Sequence, residues 1–117
     1  GSNYARHRML GTGAATSAFG EGDQNKIQIN TNFGFNSTLT YDFGVFVMDI
    51  LDYANTNKYK TEKHLYGMDR NGSGQVGLES NLWQSTSAIT QIDFICPNGG
   101  SYAQYSHFAL YGIKGAA

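Results

Sequence analysis

The stretch Phe43-Gly44-Val45-Phe46-Val47-Met48-Asp49-Ile50-Leu51-Asp52-Tyr53 decides the fold class. Side chains of a strand alternate between its two faces. Phe43, Val45 and Val47 therefore share one face, and Phe46, Met48 and Ile50 share the other. A strand that is apolar on both faces must be covered on both. This segment is expected to lie centrally in its sheet or at a subunit interface, with Phe46, Met48 and Ile50 as the candidate interface stripe. The alternation breaks at Asp49-Ile50-Leu51-Asp52, where a bulge fits.

Working outward, residues 26–35 alternate as well. Ile27, Ile29, Thr31, Phe33 and Phe35 fall on one side, with Lys26, Gln28, Asn30 and Asn32 on the other. Asn55-Thr56-Asn57 reads as a turn, followed by a polar strand over 58–68 carrying Tyr59, Leu65 and Tyr66. Asp69-Arg70-Asn71-Gly72-Ser73-Gly74 predicts a hairpin, because Asn-Gly supplies the positive φ angles of a tight turn. A short strand over 75–79, a loop over 80–87 around Trp83, and strands over 88–96 and 102–114 complete the pattern, with a turn at Pro97-Asn98-Gly99-Gly100. Residues 4–10 read as an edge strand and 11–22, rich in Gly, Ala, Ser and Thr, as a loop. Six or seven strands at hairpin spacing predict one all-β domain over 1–117, an antiparallel β-sandwich of jelly-roll type. The expected core is Ile27, Ile29, Phe33, Val45, Val47, Ile92, Phe94, Phe108 and Leu110.

Composition excludes several classes of function. With 117 residues, 8 basic and 9 acidic side chains, the formal net charge is −1. No basic stripe is present to displace counterions from phosphates, so a nucleic-acid partner is not expected. No apolar run approaches the roughly 20 residues of a membrane helix, so membrane insertion is not expected either. Charged residues are only 15% of the chain, and its polarity comes from Asn, Gln, Ser, Thr and Tyr. Such a surface suits sugars or close protein contacts. Cys96 stands alone in an apolar run and reads as a small buried hydrophobe. Gly1-Ser2 reads as an expression scar, and no signal peptide is expected.

Three patterns occur in order. They are Phe46-Val47-Met48-Asp49-Ile50-Leu51-Asp52-Tyr53-Ala54-Asn55-Thr56-Asn57-Lys58-Tyr59-Lys60-Thr61, then Leu82-Trp83-Gln84-Ser85-Thr86-Ser87-Ala88-Ile89, then Ala103-Gln104-Tyr105-Ser106-His107-Phe108-Ala109-Leu110-Tyr111-Gly112-Ile113-Lys114. Over residues 43–114 the chain resembles a C-terminal β-sandwich domain of bacteriophage virion proteins. Members of that group often carry Ser where this chain has His107. The resemblance implies a non-enzymatic domain of a fibre, spike or head-decoration protein at the exposed virion surface, and by analogy a homotrimer. It supplies no catalytic motif and no binding residues. The function expected is attachment to host-surface glycan. One alternative is a decoration or head-fibre domain making virion-protein contacts; another is a carbohydrate-binding module of a larger protein.

Candidate chemistry is sparse. Asp69-x-Asn71-x-Ser73 has calcium-loop spacing, but the twelfth position is Ser80 rather than Glu, so a plain hairpin is the better reading. His7, His64 and His107 lack ligand spacing, and no metal or cofactor is expected. Asp49 and Asp52 point to opposite faces, and Asp42, Asp93, Glu62 and Glu79 have no evident pairing, which argues against a glycosidase dyad. Lys58, Lys60, Lys63 and His64 read as a solvated strand face. The candidate ligand residues are Trp83, Tyr59, Tyr66, Tyr102, Tyr105 and Asn71, because sugars stack on aromatic rings and hydrogen-bond to amides beside them. Trp83 recurs in the family pattern, which also suits a loop-anchoring role.

Overall fold

The structure is a computed structural model and describes residues 1–29, 43–96 and 100–114. Within them the fold is all-β. Five strands, β1 (Tyr4–Gly11), β2 (Thr16–Gln24), β3 (Val45–Ile50), β4 (Lys60–Asp69) and β5 (Gly74–Trp83), form one sheet in the order β2-β1-β5-β4-β3. Every neighbouring pair is antiparallel. There is no helix among the described residues.

Two hairpins set the register. At the β4–β5 turn Arg70 N–H donates to Ser73 O at 2.7 Å, and the two residues between them, Asn71 and Gly72, hold φ of 52° and 107°. Two positive φ angles in a two-residue turn match the twist of the flanking strands. The Asp69 carboxylate accepts from Asn71 N–H at 2.8 Å, so the calcium-like spacing serves a turn. The β1–β2 hairpin closes through Thr12 N–H on Ala15 O at 3.0 Å, with Gly13 at φ 84°.

Several expectations are corrected here. Residues 11–22 are not a loop: β2 occupies most of them, its small residues held by pairing with β1. β1 is not an edge strand but lies between β2 and β5. β3, expected to lie centrally or at a subunit interface, is an edge of the sheet among the described residues. β5 runs on to Trp83, shortening the loop expected at 80–87. The runs 88–96 and 102–114 join no ladder among the described residues, and one sheet rather than two is seen there. Of the strand expected at 26–35, Ile27 and Ile29 are half-buried, while 30–35 lie outside the described residues, Phe33 among them. The turn at Pro97-Asn98-Gly99 also lies outside them.

The pairing register sorts side chains into rungs across the sheet. On one face run Ile50–Glu62–Asn81–Arg6–Glu21, Met48–His64–Glu79–Arg8–Phe19 and Phe46–Tyr66–Gly77–Leu10. On the other run Val47–Leu65–Leu78–Met9 and Val45–Gly67–Val76–Gly11. The first face is covered. Phe94 and Phe108 pack on Phe46 at ring-centroid distances of 5.6 and 6.4 Å and on each other at 5.1 Å, and Tyr102 meets Phe108 edge-on at 4.9 Å. Within the stripe Phe46, Met48 and Ile50, all half-buried, Phe46 lies against the chain's own C-terminal segment.

Among the described residues the second face is open, and this overturns the expected core. Val45 and Val47 point outward and are exposed, and Ile92, Phe94, Phe108 and Leu110 also keep substantial exposure. The reason is geometric. Val45 and Val47 alternate with Phe46 and Met48, and only the latter pair faces the C-terminal aromatics. Among the described residues the buried apolar side chains are instead Tyr66, Met68 and Cys96.

Gly77 carries the closest packing. Its cross-strand partner is Tyr66, whose ring lies where a Cβ on Gly77 would sit. Tyr66 is itself buried and cannot swing out freely. Gly77→Ala should therefore destabilise the fold by about 1–3 kcal/mol, the usual range for overpacking a closed site. Chemical denaturation checks this, and a loss below about 0.5 kcal/mol would show that Tyr66 is not lodged over Gly77.

Candidate functional site

Two features of the sheet bear on function. The first is a polar row on the covered face. Alternation along β4 puts Lys60, Glu62, His64, Tyr66 and Met68 inward, and each is buried. β5 adds Glu79 and Asn81, and β1 adds Arg6 and Arg8. His64 Nδ1–H donates to Glu62 Oε1 at 2.7 Å, and Asn81 Nδ2–H donates to Glu62 Oε2. On the far side of the imidazole, Nε2 stands 3.8 Å from Glu79 Oε2, and Arg8 Nη1 stands 3.7 Å from Glu79 Oε1. Arg6 binds Glu21 through Nη2 at 2.7 Å, and the Arg8 guanidinium lies 4.2 Å from the Phe19 ring centroid. Lys60 Nζ donates to the carbonyls of Lys58 at 2.9 Å and Thr86 at 3.3 Å. Arg6 thus pairs with Glu21 and Arg8 stands beside Glu79, while the buried Lys60 ammonium is held by backbone carbonyls rather than by a carboxylate.

Burial pushes the Glu79 carboxyl above its ordinary value, against the opposing pull of His64, Arg8 and Arg6 and a hydrogen bond from Tyr66. The row contains an acid and a base, but His64 and Glu79 are both 0% exposed, so no reacting molecule touches them. Among the described residues no three His, Cys, Asp or Glu side chains are placed to hold a metal. The row is an internal brace. Lys60 and His64, expected on a solvated face, belong to it; Lys58 and Lys63 are the exposed members, paired with Asp52 and Asp49.

The second feature is the end of the sheet where β3 leads into β4. The connecting loop reads Leu51-Asp52-Tyr53-Ala54-Asn55-Thr56-Asn57-Lys58-Tyr59. It is tied down throughout. Asp52 adopts φ 50°, Asn55 N–H donates to Asp52 O at 2.9 Å, and the Asn55 side-chain oxygen accepts from Asn57 N–H at 2.8 Å. Lys58 pairs with Asp52, and Ile89 N–H donates to Tyr53 O at 2.8 Å, which fastens the segment after β5 against the loop. Tyr53 and Tyr59 emerge from this framework exposed. Trp83 ends β5 opposite Lys60 and is half-buried at the same end.

Of the candidate ligand residues, Tyr59 and Trp83 lie at this end of the sheet, Trp83 opposite Lys60 and Tyr59 just before it in the chain. Tyr66 does not: it is 1% exposed and packed over Gly77. Tyr102 is engaged with Phe108, and burial together with the neighbouring Cys96 thiol pushes its phenol up. Tyr105 is exposed in the C-terminal segment at φ 74°. Asn71 sits in the β4–β5 turn, the length of a ten-residue strand from Tyr59, or about 30 Å. Sequence reasoning missed Tyr53, although its signal was present: two tyrosines bracket a run of small and amide residues. No protein-family model, curated protein or solved structure matches the chain.

The raised Glu79 carboxyl gives a pH prediction. A group whose folded value lies above its unfolded one adds stability that is full below the unfolded value and is lost as pH rises through the folded value. Glu79 should therefore lower stability progressively as pH rises from about 4.5, its ordinary value. Glu79→Gln, which cannot ionise, should remove that component of the decline. Thermal melting across pH 4–8 compares the two proteins. Parallel profiles would show that the carboxyl is not desolvated as described.

Proposed function

We propose that the chain is a non-enzymatic structural domain of a phage virion, standing at the exposed end of a fibre or spike and binding host-surface glycan through the loop end of its sheet. One observation carries this reading: Tyr53 and Tyr59 are exposed from a loop braced by its own hydrogen bonds and an ion pair. A sugar ring lays its C–H face on such a phenol, and the rigid loop limits the ordering entropy of binding. Asn55, Thr56 and Asn57 stand between the two rings and offer neutral donors and acceptors for hydroxyl groups. The low charge of the chain fits a neutral ligand, and the sequence resemblance to virion domains gives the biological setting. The internal polar row supports a non-enzymatic reading, since its acid and base are sealed from solvent.

Adsorption of the purified domain to host cells, and binding to an array of bacterial surface glycans, test the proposal. Tyr53→Ala and Tyr59→Ala should each weaken binding about 3- to 10-fold, the worth of one aromatic contact. Ser73→Ala at the opposite hairpin should leave binding unchanged. Absence of any cell or glycan binding, or equal loss from all three variants, would contradict it.

A further inference from the structure

The outward face of the sheet is unusual for a surface. Met9, Val45, Val47, Leu65, Val76 and Leu78 lie on adjacent strands in two neighbouring rungs, with exposures from 44% at Leu78 to 69% at Val45. Their exposed parts add up to roughly 600 Å² at most, backbone included, within the size range of the largest apolar patch on an isolated domain. Covering this face twice over would bury up to about 1,200 Å², which reaches the range of stable, specific interfaces. Its charges allow a second copy as the occupant. The next rung carries Asp49 and Lys63, which pair with each other at 3.4 Å, so the face is close to neutral and does not repel a copy of itself. Ser80 and His7 complete that rung.

We infer that a second copy of this chain docks on this face, so that two five-stranded sheets stack as the two layers of one sandwich. The contact is isologous: Leu65, Leu78 and Val47 sit at its centre on both sides, and the Asp49–Lys63 pairs fall at its rim. This accounts for the outward turn of Val45 and Val47. They belong to a core, but to one shared between chains. The inference does not depend on glycan binding, because the tyrosine-bearing loop lies at the end of the sheet rather than on this face.

Sedimentation equilibrium of the domain tests it. At about 100 µM the mass should be twice the 12.8 kDa of one chain. Val47→Asp or Leu78→Asp should give monomers with unchanged far-UV circular dichroism. Lys63→Glu, a substitution of an exposed side chain that spares the fold, leaves unbalanced negative charge on both faces and should weaken the dimer about tenfold at low salt. Adding Asp49→Lys in the same chain should restore it. Leu110→Asp, in the C-terminal segment, should have no effect. A monomer or a trimer at that concentration, or a dimer indifferent to Val47→Asp, Leu78→Asp and Lys63→Glu, would overturn the inference.

Discussion

The Glu62 carboxylate, held by His64 from its own strand and by Asn81 from the next, is the constraint on which the sheet depends. An unpaired charge in a closed interior is costly enough to forbid most arrangements. Here one register of β4 against β5 brings Glu62 beside Asn81 and His64 beside Glu79, with Arg8 following on β1. A slip of one residue would turn every inward side chain outward and strand these groups. The polar row therefore fixes both the register and the choice of face. The Glu62 carboxylate is compatible with burial because His64 and Asn81 both donate to it.

From that choice the rest follows. With the polar row inward, Phe46 comes inward too and meets Phe94 and Phe108, which bring the C-terminal segment over the sheet without joining its ladder. The opposite face, apolar along two rungs, stays exposed among the described residues. The loops at the β3–β4 end are then held by the strands beneath them, and Tyr53 and Tyr59 stand on a frame rather than on a floppy connection.

The all-β class, the strands β1, β3 and β4 and the Asn71–Gly72 hairpin were legible in the sequence, because period-two alternation and turn chemistry are local properties. The direction each strand faces was not. Hydrophobicity puts Val45 and Val47 inside, but β4 offers Glu62 and His64 on one side and Leu65 on the other, and only the partners reveal that the Glu62 carboxylate is satisfied on the charged side. β2 was hidden for a different reason: Thr16 to Gly20 lacks the β-branched and aromatic density that marks a strand, and its order comes from pairing with β1. At the candidate site, Tyr59 and Trp83 were identifiable as residue types, whereas Tyr66, of the same type, proved internal because its alternation parity matches that of Glu62 and His64.

The account stands or falls on which face of β4 is closed. Diethyl pyrocarbonate modification followed by mass spectrometry reads this directly, since imidazoles react in proportion to their exposure. His107 is exposed and His64 is fully buried. The account predicts rapid modification of His107 and protection of His64 until the protein is unfolded. Modification of His64 in the native protein at the rate of His107 would contradict it.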